Sequence, residues 1–243
     1  RPEINFSLNK IKSLQVINMK NNRGHARCNA AGLKCINEKE EFDYIIPMDG
    51  DGEDRPEEIK LLIEKAKEHP DTVITADRVK RSEGPIFKLG YLIHKYLTYI
   101  FTGKSIKFGN YTCLPKSVVV KMVEEAATWS SFSGSLTKTT KERKSVPSIR
   151  GPRYFGPSKM SFINLLKHSI SIIAVFRITV FIRSLIFLAV YFFIMSQHLS
   201  VITLIPVALV VLMIVSVFVL ANRENITEFN ISQENINNIE NLK

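Results

Sequence analysis

Cysteine is scarce. Cys28, Cys35 and Cys113 form no CxxC pair and no metal-ligand spacing. They read as small buried thiols in a reducing compartment. No internal repeat is evident, and no recognised nucleic-acid motif accompanies the basic residues, so no nucleic-acid partner is expected. The first residues, RPEINFSLNKIK, hold no apolar core and no initiator Met. They do not form a signal peptide, and the expectation is a chain entered partway through. Acids are absent between Glu125 and Glu142, and Lys and Arg are absent from the SQHLS that separates the two longest apolar runs.

What is present is unevenly placed. The 243 residues carry a net charge of +10, room for one medium domain plus something extra. Between Lys138 and Lys167 stand Lys138, Lys141, Arg143, Lys144, Arg150, Arg153, Lys159 and Lys167 against Glu142 alone. This stretch directly precedes the most hydrophobic part of the chain. Basic residues beside an apolar run mark the side of a membrane anchor that faces anionic lipid.

Strand-like and helix-like segments alternate. SLQVINM (13–19) reads as a strand, 21–24 as a turn and 25–36 as an Ala-rich helix. Residues 42–48 have the two-sided apolarity of a central parallel strand. Pro56 opens a helix to about 68, with Glu57 and Glu58 near its positive end. A strand over 72–76, a helix over 85–101, a strand over 107–114 and a helix over 116–125 follow. This alternation predicts an α/β layer with a mainly parallel sheet.

After Pro157 the character changes. Met160, Ile163, Leu166, Ile170 and Ile173 recur at helical spacing, with Lys159 and Lys167 on the polar side, as in an interfacial amphipathic helix. Residues 178–195 and 201–221 are each close to the roughly 20 needed to cross a bilayer. Arg183 inside the first is tolerable near an end, where its side chain can snorkel. The charge asymmetry puts the domain and the C-terminal tail on the cytoplasmic side of an integral membrane protein with two spans. Two spans can also pack against neighbouring copies, hence a homo-oligomer. The expected division is 1–150 domain, 151–177 basic and amphipathic segment, 178–221 hairpin, and 222–243 polar tail. The tail is rich in Asn and Glu and is expected to be disordered.

The carboxylates gather at one strand tip, in YIIPMDGDGEDRPEE. Open α/β sheets bind ligands at the carboxyl ends of their strands, and Asp49 and Asp51 sit at such an end. Glycines between and after them let the backbone turn so that both side chains can face one ion. Hard divalent cations take carboxylate oxygens, and Mg²⁺ commonly shares its shell with substrate phosphates. A calcium-binding EF-hand loop is excluded. Its sixth position would be Asp54 where Gly is needed, its twelfth Lys60 where Glu is needed, and a strand precedes it. A solvated acidic turn is the plainer alternative.

The order NNRGHARCNAAGL, DGDGEDRPEE, ITADR and a membrane hairpin resembles family 2 glycosyltransferases of the GT-A (Rossmann-like) fold. The likeness covers roughly residues 13–160. It is nearest to the dolichol-phosphate-mannose synthase and polyprenyl-phosphate glycosyltransferase group. The resemblance implies an inverting hexosyltransferase with a nucleotide diphosphate sugar as donor, a polyprenyl phosphate lipid as acceptor, and Mg²⁺ or Mn²⁺ as cofactor. Asp49 and Asp51 match its DxD, with Glu53 where some relatives add a metal ligand. Asn22, Arg23 and Gly24 match the turn near the nucleotide. Arg78, and further on Lys88, match phosphate-neutralising positions. Arg153, Gly156, Ser158 and Lys159 match R-x-x-G-x-S-K at the acceptor's membrane entrance.

Two departures are visible. Gly109-Asn110-Tyr111 stands where the family has G-F-R. The family's opening β-α-β segment is also expected to be missing, which would leave the sheet truncated with an exposed edge. Transfer to a hydroxyl needs a carboxylate base, whereas a phosphate acceptor is already ionised, and the acid-free stretch after Glu125 agrees with the latter. No catalytic base is singled out. The competing expectations are transfer to a lipid-linked or cell-surface glycan, and a non-catalytic membrane remnant that binds a partner.

Overall fold

The computed structural model describes residues 11–80, 85–156 and 161–243. Residues 80, 85–89, 91 and 162 are described by backbone alone. Along the chain run β1 (Gln15–Met19), α1 (His25–Lys39), β2 (Tyr44–Ile45), α2 (Ile59–Glu68) after a 3₁₀ turn at Pro56–Glu58, β3 (Val73–Lys80) and α3 (Pro85–Thr102). Then come β4 (Thr112–Pro115), α4 (Lys116–Glu124), α5 (Phe132–Thr139), β5 (Arg143–Ile149), α6 (Phe162–Ala174), α7 (Arg177–Met195), α8 (Val201–Ala221), α9 (Ile226–Asn230) and β6 (Ile236–Asn241).

The central sheet has the order β2-β4-β3-β5. It is mixed: β4 runs antiparallel to both neighbours, and β3 pairs in parallel with β5. Three strands, β2, β3 and β5, therefore point the same way. Their carboxyl ends share one edge, and that edge carries Asp49, Arg78 and Arg150. The register sets Arg78 opposite Ser148, two residues before Arg150.

Side chains alternate across the sheet, as the strand period requires. Val73 and Leu114 face a core built with α1, α4 and α5. Ile74, Ala76, Tyr111, Cys113 and Val146 face the opposite side, against Leu62 and Ala66 of α2. Both faces are covered, so the edge of loops is where the domain can meet ligands.

Three expectations are corrected. The segment 42–48, expected as a central parallel strand, supplies only the short β2, which lies at the edge of the sheet and pairs antiparallel with β4. Strand β1 lies outside the central sheet and pairs antiparallel with β6, Ile17 opposite Ile239. The C-terminal tail, expected to be disordered, supplies that strand and the short helix α9. Phe229 of α9 is fully buried in the domain core, stacked on Trp129 with ring centroids 5.6 Å apart. Apolar residues too sparse to mark an element in sequence become anchors once they meet a prepared cavity.

Helices α7 and α8 are long and apolar enough to cross a membrane. In their most apolar windows only 11% and 17% of residues are buried within the protein, far too little for core helices of a water-soluble domain. Ser200 caps α8 by a reciprocal capping box with Thr203, which closes the short turn between them. At the domain end of the hairpin, Arg177 donates to Glu224 at 2.6 Å. The packed foot joins α6 and α3 to the hairpin through Ile173, Ala174, Val180, Val217 and Phe101.

Candidate functional site

The site is built from the loops at the shared strand edge. After β2 the chain turns back on itself. The Asp49 backbone N–H donates to Asp54 Oδ2 at 3.0 Å, and the Glu53 N–H donates to Asp51 Oδ1 at 3.0 Å. Gly52 adopts φ +91°, a conformation that favours glycine. Asp54 is buried, with Arg78 Nη2 at 3.8 Å from its Oδ1. Burial pushes its carboxyl above the ordinary value. Asp54 therefore shapes the loop from beneath, while Asp49 and Asp51 remain about a third exposed, with side chains 28% and 34% accessible.

Asp49 meets a residue that motif reading passed over. His25, the first residue of α1, places Nε2 at 3.1 Å from Asp49 Oδ1. Asn110 lies 3.5 Å from the same oxygen and 3.4 Å from His25 Nε2. The hydrogen bond to Asp49 holds His25 above its ordinary 6.5, and the same bond holds Asp49 below its ordinary 3.8. The raised His contributes fully below 6.5, and its contribution fades as pH rises through the raised value. The lowered Asp contributes above 3.8, and its contribution fades as pH falls through the lowered value. In metal-free protein, NMR titration is expected to find His25 above 6.5, and Asp49→Asn should return it toward 6.5. An unshifted His25 before substitution would contradict this contact.

The segment after β5 docks onto the acidic loop. Arg153 grips Glu53 with two parallel bonds, Nε to Oε1 at 3.0 Å and Nη2 to Oε2 at 3.1 Å. Its Nη1 also pairs with Asp51 Oδ2 at 3.1 Å. Arg150 pairs with Glu53 as well. Backbone bonds tie the two segments, Gly151 N–H to Glu53 O at 2.9 Å and Tyr154 N–H to Asp51 O at 2.8 Å. The fit is close. A Cβ on Gly151 would lie 2.5 Å from the Gly52 carbonyl oxygen, and one on Gly52 would lie 2.8 Å from the Tyr154 ring. At the base, Glu58 accepts from Ser148 Oγ at 2.6 Å and from the Ile149 N–H at 2.9 Å.

The sequence-predicted residues are thus partly assembled. Asp49, Asp51, Glu53 and Arg153 meet, and Arg78 reaches the same loop through Asp54. Glu53, offered as a further metal ligand, is turned to Arg150 and Arg153. Asn22 Oδ1 accepts from the Gly24 N–H at 2.9 Å, which forms the turn that starts α1 beside His25. Arg23 lies 3.7 Å from Glu228 of α9. Glu228 also accepts from Trp129 Nε1 at 3.0 Å and pairs with Arg27 at 3.5 Å. Gly156 has φ +60°. Ser158 and Lys159 lie outside the described residues, as does the Lys88 side chain on α3. His25, Asp54, Asn110 and Arg150 were not read as site residues. Their signals were indirect: His25 directly follows the turn, Asp54 ends the acidic run, Asn110 stands in the departure from G-F-R, and Arg150 is one of the basic run. Among the described residues, no group of three or more His, Cys, Asp or Glu side chains is set to hold a metal ion by itself.

The family described as Glycosyl transferase family 2 matches over residues 3–119. The chain is 32% identical over 128 residues to an undecaprenyl-phosphate 4-deoxy-4-formamido-L-arabinose transferase of Klebsiella pneumoniae (strain 342), covering 51% of this chain and 38% of that protein. A protein of the same description from Erwinia tasmaniensis is 29% identical over 128 residues, with the same coverage. The chain thus spans 38% of the length of these curated relatives.

Proposed function

We propose, from a chain whose residues 3–119 match the family described as Glycosyl transferase family 2, that this protein is a membrane-anchored glycosyltransferase. It would move a sugar from a nucleotide diphosphate sugar to a polyprenyl phosphate. One observation carries the reading: two partly exposed carboxylates share a sheet edge with Arg78, Arg150 and Arg153, on the segment that leads to two membrane-length helices. The names of the relatives support the acceptor class.

Family 2 enzymes generally use a divalent metal. The donor set here fits Mg²⁺ or Mn²⁺. Asp49 and Asp51 offer hard oxygens, and such ions complete their shells with substrate phosphate and water. When bound, the ion would offset charge on the leaving diphosphate. Glu53 is assigned a different task, anchoring Arg150 and Arg153 by charge-assisted bonds. Arg78 would neutralise donor phosphate from the adjacent strand. The turn Asn22–Gly24 would present backbone to the nucleotide. Arg153, held between Asp51 and Glu53, would meet a second phosphate at the membrane side. There, an acceptor phosphate oxygen would bond to the anomeric carbon as that carbon's bond to the diphosphate breaks. The electron pair would leave with the nucleoside diphosphate. The acceptor is already an anion, so no carboxylate base is required. The domain would lie on the cytoplasmic side, where the basic segment meets anionic lipid.

The test uses the whole protein as its own cells make it, in its own membranes, with radiolabelled nucleotide sugars and added polyprenyl phosphate. Label is expected in a lipid that mild acid releases. Label found only in acid-stable glycan would replace the acceptor class, and no transfer from any nucleotide sugar would overturn the reading.

A further inference from the structure

Glu224 follows α8 by three residues, and its side chain is only 5% accessible. Its Oε2 accepts from Arg177 Nη1 at 2.6 Å. Its Oε1 is shut off from solvent and meets no hydrogen-bond donor among the described residues. Leaving a buried carboxylate oxygen without a donor is costly, and nearly all buried polar atoms of folded proteins have a partner. Arg177 stands differently. Its side chain is 40% accessible, and a guanidinium carries more N–H donors than this one bond uses. Both residues line a cavity of about 380 Å³ at the domain-side foot of the hairpin, together with Phe218, Asn222 and Asn225. The segment beyond α8 is held firmly there. Asn225 Oδ1 accepts from the Glu228 N–H at 2.9 Å, and Phe229 anchors α9 in the domain core. Arg223 is directed to Ser171 Oγ of α6 at 3.4 Å.

We infer that this cavity holds the headgroup of a membrane phospholipid that carries a primary ammonium beside its phosphate, the phosphatidylethanolamine class. The ammonium donates to Glu224 Oε1, and the phosphate takes the open side of the Arg177 guanidinium. Both bonds are charge-assisted, and together they match the two charges of one zwitterion. Lipid is the occupant because of where the cavity sits. Arg177 opens the first membrane-length helix and Glu224 follows the second, so the pair lies at headgroup level. From there Phe218 and Phe181, edge to face with ring centroids 6.0 Å apart and both exposed, continue along the hairpin as an apolar strip for the acyl chains. A choline headgroup has no N–H to give Glu224, and a glycerol headgroup has no cation to give it. The orphaned carboxylate oxygen therefore selects the primary amine.

The inference rests on the hairpin's being in a bilayer, not on the transfer reaction. Its test is native mass spectrometry of the full chain, released from mixed micelles of a nonionic detergent. The micelles hold phosphatidylethanolamine, phosphatidylcholine and phosphatidylglycerol of the same acyl chains in equal amounts, with soluble glycerophosphoethanolamine added. Phosphatidylethanolamine should be retained over phosphatidylcholine by about 10–100-fold, the range for one charge-assisted hydrogen bond. Glu224→Gln should bring the two toward parity. Asn222→Trp, at an exposed position on the cavity, fills the space and leaves the Arg177–Glu224 pair in place. It should abolish the preference with an unchanged unfolding midpoint, and it decides the matter if Glu224→Gln fails to fold. Equal retention of the ethanolamine and choline lipids overturns the inference. So does a preference for phosphatidylglycerol, which would mean a phosphate site on Arg177 alone. So does an ethanolamine preference that survives Asn222→Trp. Soluble glycerophosphoethanolamine retained as well as the lipid would overturn the lipid as occupant. Retention of no lipid at all would overturn it together with the membrane hairpin, a failure distinguishable from that of the cavity.

Discussion

Replacing Asp51 by Asn is expected to lower sugar transfer by about 10²–10³-fold, the range for losing one electrostatic group at a reacting centre. The substitution is chosen for what it preserves. Asn keeps an oxygen that can accept the Glu53 N–H, and the bond from the Tyr154 N–H to the Asp51 carbonyl is untouched. What goes is the negative charge, and with it a hard ligand for Mg²⁺ or Mn²⁺ and the pairing with Arg153. The measurement is kcat/KM for transfer against metal concentration, in the whole membrane protein. Part of the loss should be recovered as metal is raised. The contrast is Asp54→Asn. Asp54 is buried beneath the loop, so its loss should act first through stability, by about 1–3 kcal/mol for a buried partner left unmatched, and with an unchanged metal midpoint. Full activity and full metal dependence in Asp51→Asn would sink the assignment of the strand-tip carboxylates.

The second large effect concerns the tail. Phe229→Ala should destabilise the domain by about 3–5 kcal/mol, the usual cost of emptying a buried aromatic site. Phe229 is fully buried, is stacked on Trp129 at an interplanar angle of 21°, and has Lys34 Nζ 5.3 Å from its ring centre. Its neighbour Glu228 ties Trp129 to Arg23 and Arg27. Loosening α9 should therefore also free β6 from β1. Hydrogen exchange by mass spectrometry should show faster exchange in both strands and in the turn at Asn22–Gly24. Unchanged protection of β6 would mean that its ladder holds without the aromatic anchor.

These two predictions differ in how far the sequence reaches. The acidic strand tip was legible because its chemistry is local. Asp-Gly-Asp-Gly brings its own turn and charge, and a strand before it with a proline-opened helix after it places it at a sheet edge. The clamp of Arg153 on Glu53 spans 100 positions in sequence. It exists because β5 pairs in parallel with β3 and delivers the next residues to the end of β2. No strand was read over 143–149, whose KSVPSI alternates weakly and contains a proline. Helix α5 escaped for a related reason. Ser133, Ser135 and Thr137 are buried there, and a helix with hydroxyls on its buried side has no apolar stripe to count. Thr128 bonds the Ser135 hydroxyl at 2.6 Å, a partner that Ser135 meets only after folding.

By itself the sequence determined the alternation of helices and strands, the carboxylates at one strand end, the basic run and the two apolar spans. Each depends on residues within about twenty positions of one another, where period and charge act directly. Tertiary structure alone decided that β1 takes the C-terminal strand as its partner, that His25 and Asn110 share Asp49, and that Glu53 faces arginines. It alone decided that α3 turns its apolar side outward, with Ile93, Tyr96, Tyr99 and Ile100 exposed. A helical stripe read from sequence shows which face avoids water. Whether that face is covered by protein or by lipid depends on what the rest of the chain packs against the other side.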